Sequence, residues 1–291
     1  MATTITNVTV FDGVRTVPAT AVRIADGVVS ALGDADVAAA GDQLHDGRGG
    51  TLLPGLIDAH VHLLPGALRQ ALTFGVATVL DLFSKPELLH PMADEAAASN
   101  EMADVRYSSI GATVEGGHPS LMYAPFPTVT GPQDADRFVA DRIAEGAAFL
   151  KVFYDPVEHS GPLGFPSLDV ATVAALATAA HDRGLLAIVH TNSASAVRDV
   201  ADAGIDVLAH VPIDPLGDNV IDMLADRGIP VIATLATIEN VADGAGAELA
   251  DDPHLGPLLG PRWRACCAAA QPAGGHRTCR TCPAHCTTSA A

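Results

Sequence analysis

From Leu56 onward the chain alternates between strand-type and helix-type segments, and this alternation limits the possible folds more than any other feature. Apolar runs typical of buried strands lie near residues 56–62, 75–81, 105–111, 148–153, 185–190, 205–210 and 229–234. Helix-forming stretches lie near residues 65–73, 86–100, 132–146, 167–183, 193–203 and 217–227. Because parallel strands need crossover connections, this order predicts an α/β fold. Seven such strands favour a (β/α)8 TIM barrel that lacks its eighth strand over an open doubly wound sheet.

The N-terminal part of the chain has a different pattern. Short β-type segments are separated there by the turn-forming runs Asp12-Gly13, Asp26-Gly27 and Gly47–Gly50. An Asp-Gly pair between two apolar runs is typical of a β-hairpin. We therefore predict a partial β-sandwich domain over residues 1–54, followed by the incomplete barrel domain over residues 55–263.

The net charge and the hydropathy of the sequence limit the kinds of partner that the protein can bind. Sixteen basic residues against thirty-four acidic ones give a formal net charge of −18, which argues against binding to nucleic acid or to an anionic membrane surface. The sequence has no apolar run long enough to span a membrane, and its first residues lack the basic region of a signal peptide. We therefore expect a cytoplasmic protein with no nucleic-acid or membrane partner.

Two histidines lie at the end of the first strand-type segment of the predicted barrel. The run Thr51–Leu63 has the sequence TLLPGLIDAHVHL. On a strand, side chains at i and i+2 point to the same face, so His60 and His62 project together. Two imidazoles placed this way can bind one divalent metal ion, and barrel enzymes keep their chemistry at this end of the strands.

The run PGLIDAHVH resembles the first-strand signature of the amidohydrolase superfamily, in its imidazolonepropionase-like and prolidase-like branch. The resemblance extends over roughly residues 1–260. It implies a metal-dependent hydrolase that cleaves a carbon–nitrogen bond with a metal-bound hydroxide. It also implies a small-molecule amide or dipeptide-like substrate, with His60 and His62 as ligands of the first metal.

Lys151 is one of only two lysines in the chain, the other being Lys85, and it lies inside the apolar run Phe149–Phe153. A buried, unpaired ammonium group is costly, so this amine must either lose its proton or find a partner. In the resembling family a lysine on the fourth barrel strand reacts with carbon dioxide, and the resulting carbamate bridges two metal ions. The resemblance implies this role for Lys151.

Two further strand-type segments end in histidine. The segments LLAIVH and IDVLAH end at His190 and His210. The resemblance implies that both histidines bind the second metal, and it makes Lys151 and His210 the candidate catalytic residues. The resemblance also implies divalent metal ions, with two zinc ions as the default expectation and manganese, iron or nickel as alternatives.

Two residues are candidates for substrate binding. His118 follows Gly116-Gly117 directly after the third strand-type segment, and prolidase-like enzymes use such a turn to orient the substrate. Tyr154 follows the Lys151 segment and would reach a substrate carbonyl or carboxylate from the barrel mouth. An ordinary loop role remains open for both residues.

The resemblance fails after Val231–Thr234. The family ends an eighth strand in an aspartate that binds the first metal and accepts the proton of the bridging water, and no such run follows here. From about Arg264 the apolar periodicity gives way to Cys, Arg, Thr, Pro and His. We expect residues 264–291 to be an unstructured, aberrant tail of the kind that a shifted reading frame produces. A zinc knuckle is the other interpretation, with ligands at Cys279, Cys282, His285 and Cys286.

Several functional alternatives therefore stay open. The first is a truncated, non-catalytic remnant that binds metal without turnover, because the aspartate is missing. A mononuclear deaminase or isomerase on the same scaffold is the second, although Lys151 argues against it. The third is a tail that binds nucleic acid through zinc. Open strand edges also predict a tendency to aggregate, and a homo-oligomer is possible.

Overall fold

The computed structural model describes residues 2–156, 165–243 and 246–269. The chain divides into two compact units, Met1–Leu56 and Ile57–Ala291. The predicted domain boundary, between residues 54 and 55, lies in the segment that connects the last N-terminal strand to the first strand of the second unit.

The first unit contains one five-stranded sheet. Its strands are β1 (Thr3–Phe11), β2 (Thr16–Val17), β3 (Ala21–Ala25), β4 (Val28–Gly33) and β5 (Gln43–Leu52), with a short 3-10 helix at Ala35–Val37. Strand β1 pairs antiparallel with β2 and β3 and parallel with β5. Asp26 and Gly27 both have positive φ, 52° and 78°, and they form the tight turn between β3 and β4, as the sequence predicted.

Alternating strand residues form the core of this first sheet. On β1, Val8 and Val10 are buried, whereas the alternating residues Asn7 and Thr9 are exposed. Val22 on β3 packs against them. The described strands of this unit form a single sheet, so a two-layer sandwich stays a prediction.

The second unit alternates strands and helices. Its strands are β6 (Leu56–Val61), β7 (Val76–Asp81), β8 (Asp104–Tyr107), β9 (Leu150–Phe153), β10 (Ala187–His190), β11 (Val207–Ala209) and β12 (Val231–Ile232). Its helices are α1 (Ala67–Thr73), α2 (Pro86–Ala97), α3 (Ser120–Tyr123), α4 (Ala135–Ala144), α5 (Val170–His181), α6 (Ala194–Asp202), α7 (Asp218–Arg227), α8 (Leu235–Asp243), α9 (Gly246–Asp251) and α10 (Pro261–Ala269). Short 3-10 helices lie at Pro132–Asp134 and Gly256–Leu258.

The strands of the second unit form two sheets, ordered β6-β7-β8 and β12-β11-β10-β9. The β7–β8 pair and the three pairs of the four-stranded sheet are parallel. The segment after β8 links the two sheets: Ala112 N donates to Lys151 O over 2.8 Å, and Phe153 N donates to Ala112 O over 2.9 Å. The α/β class with parallel strands is therefore confirmed.

The sheets do not close into a cylinder among the residues that the structure describes. Strand β8 ends at Tyr107 rather than near residue 111, because Ser109 has a positive φ of 58° that interrupts the extended backbone. The link to the four-stranded sheet is therefore a single bridge at Ala112. The TIM-barrel interpretation stays a prediction.

Helix α5 shows how a helix packs on the strands. Its inward face buries Val173, Leu176 and Ala180, and its composition, rich in Ala, favours a helix. Asp169 caps its first turn by accepting a hydrogen bond from Thr172 N. This packing belongs to the largest apolar core of the unit, which also contains Val152 and Val189 from β9 and β10.

The C-terminal part of the described chain is helical where the sequence predicted no structure. Helix α10 continues to Ala269, past the predicted start of the tail at residue 264. The alanines and arginines of this stretch are good helix formers, which accounts for the difference. Residues 270–291, which contain Cys279, Cys282 and Cys286, lie outside the described residues. No helix in the described ranges is both long and apolar enough to cross a membrane.

Candidate functional site

Four strands bring together the side chains that the sequence singled out. His60 lies on β6, Lys151 on β9, His190 at the end of β10, and His210 directly after β11. The rings of His60 and His210 stack at 4.6 Å, and those of His190 and His210 meet edge to face at 4.9 Å. We call the side chains of these three histidines, together with those of His62 and His118, the imidazole cluster.

The Lys151 side chain lies buried within this cluster. It is 1% exposed, and its Nζ has no hydrogen-bond partner among the described residues. Nζ lies 5.2 Å from the centre of the Phe153 ring. Burial lowers the pKa of this amine to about 7, because a charged ammonium group is poorly solvated there. A large fraction of the amine is therefore neutral near pH 7.

Four histidines around Lys151 have pKa values that make them neutral near pH 7. Burial, followed by the positive charge of Lys151, lowers the pKa of His118 to about 4 and that of His210 to about 3. The same causes, together with neighbouring imidazoles, hold the pKa values of His60 and His190 well below the usual range. The neutral imidazole is the form that binds metal ions.

A directed chain of hydrogen bonds fixes the tautomers of two of these histidines. Asn192 Nδ2 donates to His190 Nε2 over 3.3 Å, so the His190 proton is on Nδ1. His190 Nδ1 lies 2.9 Å from His210 Nε2 and donates to it. His210 Nδ1 then donates to Thr234 Oγ1 over 2.9 Å. Both rings are thus held in defined orientations.

His62 and His118 lie at the margins of the cluster. The His62 ring is 5.3 Å from that of His60, and its Nδ1 lies 3.1 Å from the carbonyl oxygen of Phe83. His118 stacks on His190 at 4.4 Å and also contacts the ring of Phe153. The Gly-Gly-His turn therefore brings His118 to the ends of β9 and β10.

Tyr154 and Asp155 follow β9, and their side chains have different surroundings. The Tyr154 hydroxyl donates to Asp199 Oδ2 over 3.0 Å, and Asp199 lies on α6. The Asp155 carboxylate lies 4.0 Å from His190 Nε2 and accepts a hydrogen bond from Asn192 over 3.0 Å. Asp155 is thus adjacent to the cluster, whereas the Tyr154 hydroxyl is bonded to a helix. Substrate binding by Tyr154 stays a prediction.

Sequence reasoning did not single out three polar residues that lie in or beside this region. Asp81 ends β7, Asn192 follows β10, and Thr234 follows β12. The signal that could have identified Asp81 is the one that identified His190 and His210: a polar residue that ends an apolar strand. Asn192 and Thr234 carry no comparable signal, since only the fold brings their side chains to the imidazoles.

The donor types in the cluster fit a divalent metal ion. His60 Nδ1 and Lys151 Nζ are buried polar atoms without a hydrogen-bond partner among the described residues, and an imidazole nitrogen such as His60 Nδ1 is a common zinc ligand. The ring orientations do not preform a cage: within the described ranges, no three or more His, Cys, Asp and Glu side chains are placed to hold an ion. His190 and His210 face each other through a hydrogen bond, so these rings must separate to bind a common ion.

The sequence is similar to that of a curated enzyme of known class. It is 29% identical over 290 residues to an allantoinase from Rubrobacter xylanophilus, and the match covers 90% of this chain and 54% of the relative. The chain therefore spans about half the length of the curated relative it matches. No family model matches the chain.

Solved structures share the fold. A structure described as an amidohydrolase has a TM-score of 0.69 at 20% identity, and the match covers 93% of this chain and 73% of that one. A Xaa-Pro dipeptidase with bound methionine has a TM-score of 0.66 at 20% identity, covering 93% and 74% of the two chains. The fold is thus one found among hydrolases of this kind. The chain is therefore similar in sequence to an allantoinase, and similar in fold to an amidohydrolase and a Xaa-Pro dipeptidase.

Proposed function

We propose that this chain carries the active site of a metal-dependent hydrolase that cleaves a carbon–nitrogen bond in a small amide. The observation that carries the proposal is the Lys151 amine, which is buried and without a hydrogen-bond partner among neutral imidazoles. A structural protein gains nothing from such an arrangement, because burying a polar group without a partner costs free energy. The proposed metal ligands are His60, His62, Lys151, His190 and His210.

The chemistry of Lys151 supports a carbamate at this position. A neutral amine is a nucleophile, and its nitrogen can form a bond to the carbon of carbon dioxide and release one proton. The product is an anionic carbamate whose oxygen atoms are metal ligands. The lowered pKa of Lys151, about 7, keeps the required neutral amine available at neutral pH.

Each histidine would contribute as a neutral ligand. His60 and His62 project from one strand, while His190 and His210 come from the two strands that pair next to one another. A bound divalent ion supplies a Lewis acid that polarises a carbonyl group and lowers the pKa of water. Zinc is the ion we expect, with manganese, iron or nickel as alternatives.

His118 is the proposed substrate-binding residue. Its ring lies against those of His190 and Phe153, and Phe165 meets it edge to face at 5.6 Å. With a pKa of about 4 the ring is neutral at pH 7, so it offers one N–H donor and one nitrogen acceptor to a bound amide. Apolar rings beside a few polar groups are typical of a small-molecule site.

The proposed substrate is a dipeptide or an N-acyl amino acid. The named relatives support a small substrate with a carbon–nitrogen bond, since one is an allantoinase and another a Xaa-Pro dipeptidase. A cyclic amide is the alternative that the allantoinase match favours. Cytoplasmic location and a possible homo-oligomer stay predictions.

The test combines metal counting with hydrolysis. The purified chain is stripped with a chelator, reconstituted with zinc, and assayed on a Xaa-Pro dipeptide, an N-acyl amino acid and allantoin. We expect about two equivalents of zinc per chain and turnover of at least one substrate. Lys151→Met should lose both the second equivalent and turnover, while Lys85→Met, which removes the only other lysine, should change neither.

Two results would contradict the proposal. Metal binding without turnover of any of the substrates would mean that the chain is a non-catalytic remnant. A Lys151→Met protein with unchanged zinc content and activity would remove Lys151 from the site altogether.

A further inference from the structure

A buried carboxylate outside the imidazole cluster connects the ends of two strands. Asp81 ends β7 and is 0% exposed. Its Oδ2 accepts a hydrogen bond from Leu63 N over 2.8 Å and another from Ser84 Oγ over 2.7 Å. Its Oδ1 is buried and has no hydrogen-bond partner among the described residues. An acceptor this buried is costly, so its retention calls for a reason beyond packing.

Asp81 accepts hydrogen bonds from residues next to both partners of the contact between His62 and the Phe83 carbonyl group. Leu63 directly follows His62, and Ser84 directly follows Phe83, whose carbonyl oxygen lies 3.1 Å from His62 Nδ1. Backbone pairing adds to this link, since Leu82 N donates to Val61 O over 3.0 Å. The carboxylate therefore fixes both the backbone that carries the His62 ring and the segment that carries its acceptor.

The consequence for His62 is a defined tautomer. A carbonyl oxygen only accepts, so Nδ1 carries the proton and the imidazole lone pair resides on Nε2. Partners of this kind orient metal-binding histidines and set which nitrogen binds. We infer that Asp81 is a positioning residue that holds the His62 ring, through Leu63 and the Phe83 carbonyl, with Nε2 as its metal-binding atom. This inference rests on the proposed function.

Paired substitutions separate positioning from general stability. Asp81→Asn keeps one side-chain oxygen that can accept from Leu63 N and Ser84 Oγ, whereas Asp81→Ala removes both contacts. Val139→Ala, in the buried core of α4, is the matched control, because it removes buried atoms without touching the strand ends. All variants are made in the full chain and stripped of metal before use.

The first measurement is the zinc affinity of each protein by calorimetry. We expect Asp81→Ala to bind zinc about 10- to 100-fold more weakly than the parent, the range typical of lost partners of metal ligands. Asp81→Asn and Val139→Ala should bind within about threefold of the parent. Equal affinity of Asp81→Ala and the parent would overturn the inference, and so would an equal loss in Val139→Ala.

The second measurement needs no metal. Long-range ¹H–¹⁵N spectra of histidine-labelled protein report which ring nitrogen carries the proton, and the His62 signals are identified by their loss in His62→Asn. The parent and Asp81→Asn should show His62 protonated on Nδ1, while Asp81→Ala should show a mixture of tautomers. An unchanged His62 tautomer in Asp81→Ala would overturn the inference.

The two proposals fail in different ways. If the parent and His60→Asn have the same zinc affinity, the proposed metal site is wrong, and the tautomer spectra still decide the role of Asp81. If His60→Asn loses zinc affinity but Asp81→Ala does not, the metal site stands and only the positioning role fails.

Discussion

At the scale of single residues, the protein places ionisable groups where water cannot solvate them. Lys151 and His190 are both almost completely buried, and burial lowers the pKa of each, which favours the neutral form. Neutral nitrogen atoms are ligands and nucleophiles, whereas their protonated forms are neither. Burying these groups costs free energy, which the proposed metal site would account for.

The cost of burying an ionisable group can be measured for Asp81. Burial raises the pKa of its carboxyl from 3.8 to about 6, so the native state binds its proton more tightly than the unfolded state does. The stabilisation that this carboxyl group contributes is therefore complete below pH 3.8 and is lost as the pH rises to about 6. Above that pH the free energy of unfolding no longer changes because of this group. The expected loss in the free energy of unfolding over this pH range is about 3 kcal/mol.

The check compares urea unfolding of the parent and Asp81→Asn at several pH values between 4 and 8. The fluorescence of Trp263, the only tryptophan, reports the second unit. The parent should lose stability relative to Asp81→Asn as the pH rises to 6. A stability difference that does not change with pH would contradict the raised pKa.

At the scale of secondary-structure elements, one side chain anchors the end of the described chain to α1. Gln70 Nε2 donates to Leu258 O over 3.1 Å, and Gln70 Oε1 accepts from Gly260 N over 2.9 Å. Trp263 on α10 lines an apolar cavity of about 280 Å³ together with Phe74 from the end of α1. The segment before α10 is therefore held to α1 by one amide and by apolar contacts.

Gln70→Ala should release this segment. The substitution removes two hydrogen bonds, and we expect a loss of about 1–2 kcal/mol of stability with faster hydrogen exchange at the Gly260 amide. Exchange measured by mass spectrometry on peptides covering residues 256–264 gives the result. Gln133→Ala, which removes a surface glutamine that bonds only within its own turn, is the control. Unchanged exchange at Gly260 would show that Gln70 does not anchor the segment.

At the scale of the whole molecule, the second unit leaves strands open. Among the described strands, β6 pairs only with β7, and β12 pairs only with β11. Ile57 on β6 is 65% exposed. An apolar side chain on an unpaired edge favours pairing with another chain, and charged side chains on such edges oppose it.

Ile57→Lys should therefore slow aggregation without destabilising the protein. We expect lower light scattering during incubation at 37 °C, with the free energy of unfolding within about 0.5 kcal/mol of the parent. Ile213→Lys is the matched control, because Ile213 is an isoleucine 81% exposed that lies outside the strands. Equal slowing by both substitutions would attribute the effect to net charge rather than to the strand edge.

The candidate site could be predicted from the sequence only as far as the ends of the strands indicate it. His190 and His210 were found because each closes an apolar run, and Lys151 because a lysine inside such a run needs an explanation. The same criterion applied to Asp81 would have added it. The surroundings of the Tyr154 hydroxyl were not predictable, because its position depends on where α6 brings Asp199.

The sequence by itself determined the alternation of strands and helices and the residues that end them, since both follow from local hydrophobic periodicity and turn chemistry. Only the tertiary structure decided which rings touch, which nitrogen atoms carry protons and that the strands divide into two sheets after β8. Those outcomes depend on contacts between residues far apart in the chain: His190 bonds His210, which bonds Thr234, and no local pattern records such pairs. Burial, which sets the charge of Lys151, is likewise a property of the packed unit rather than of the strand that contains it.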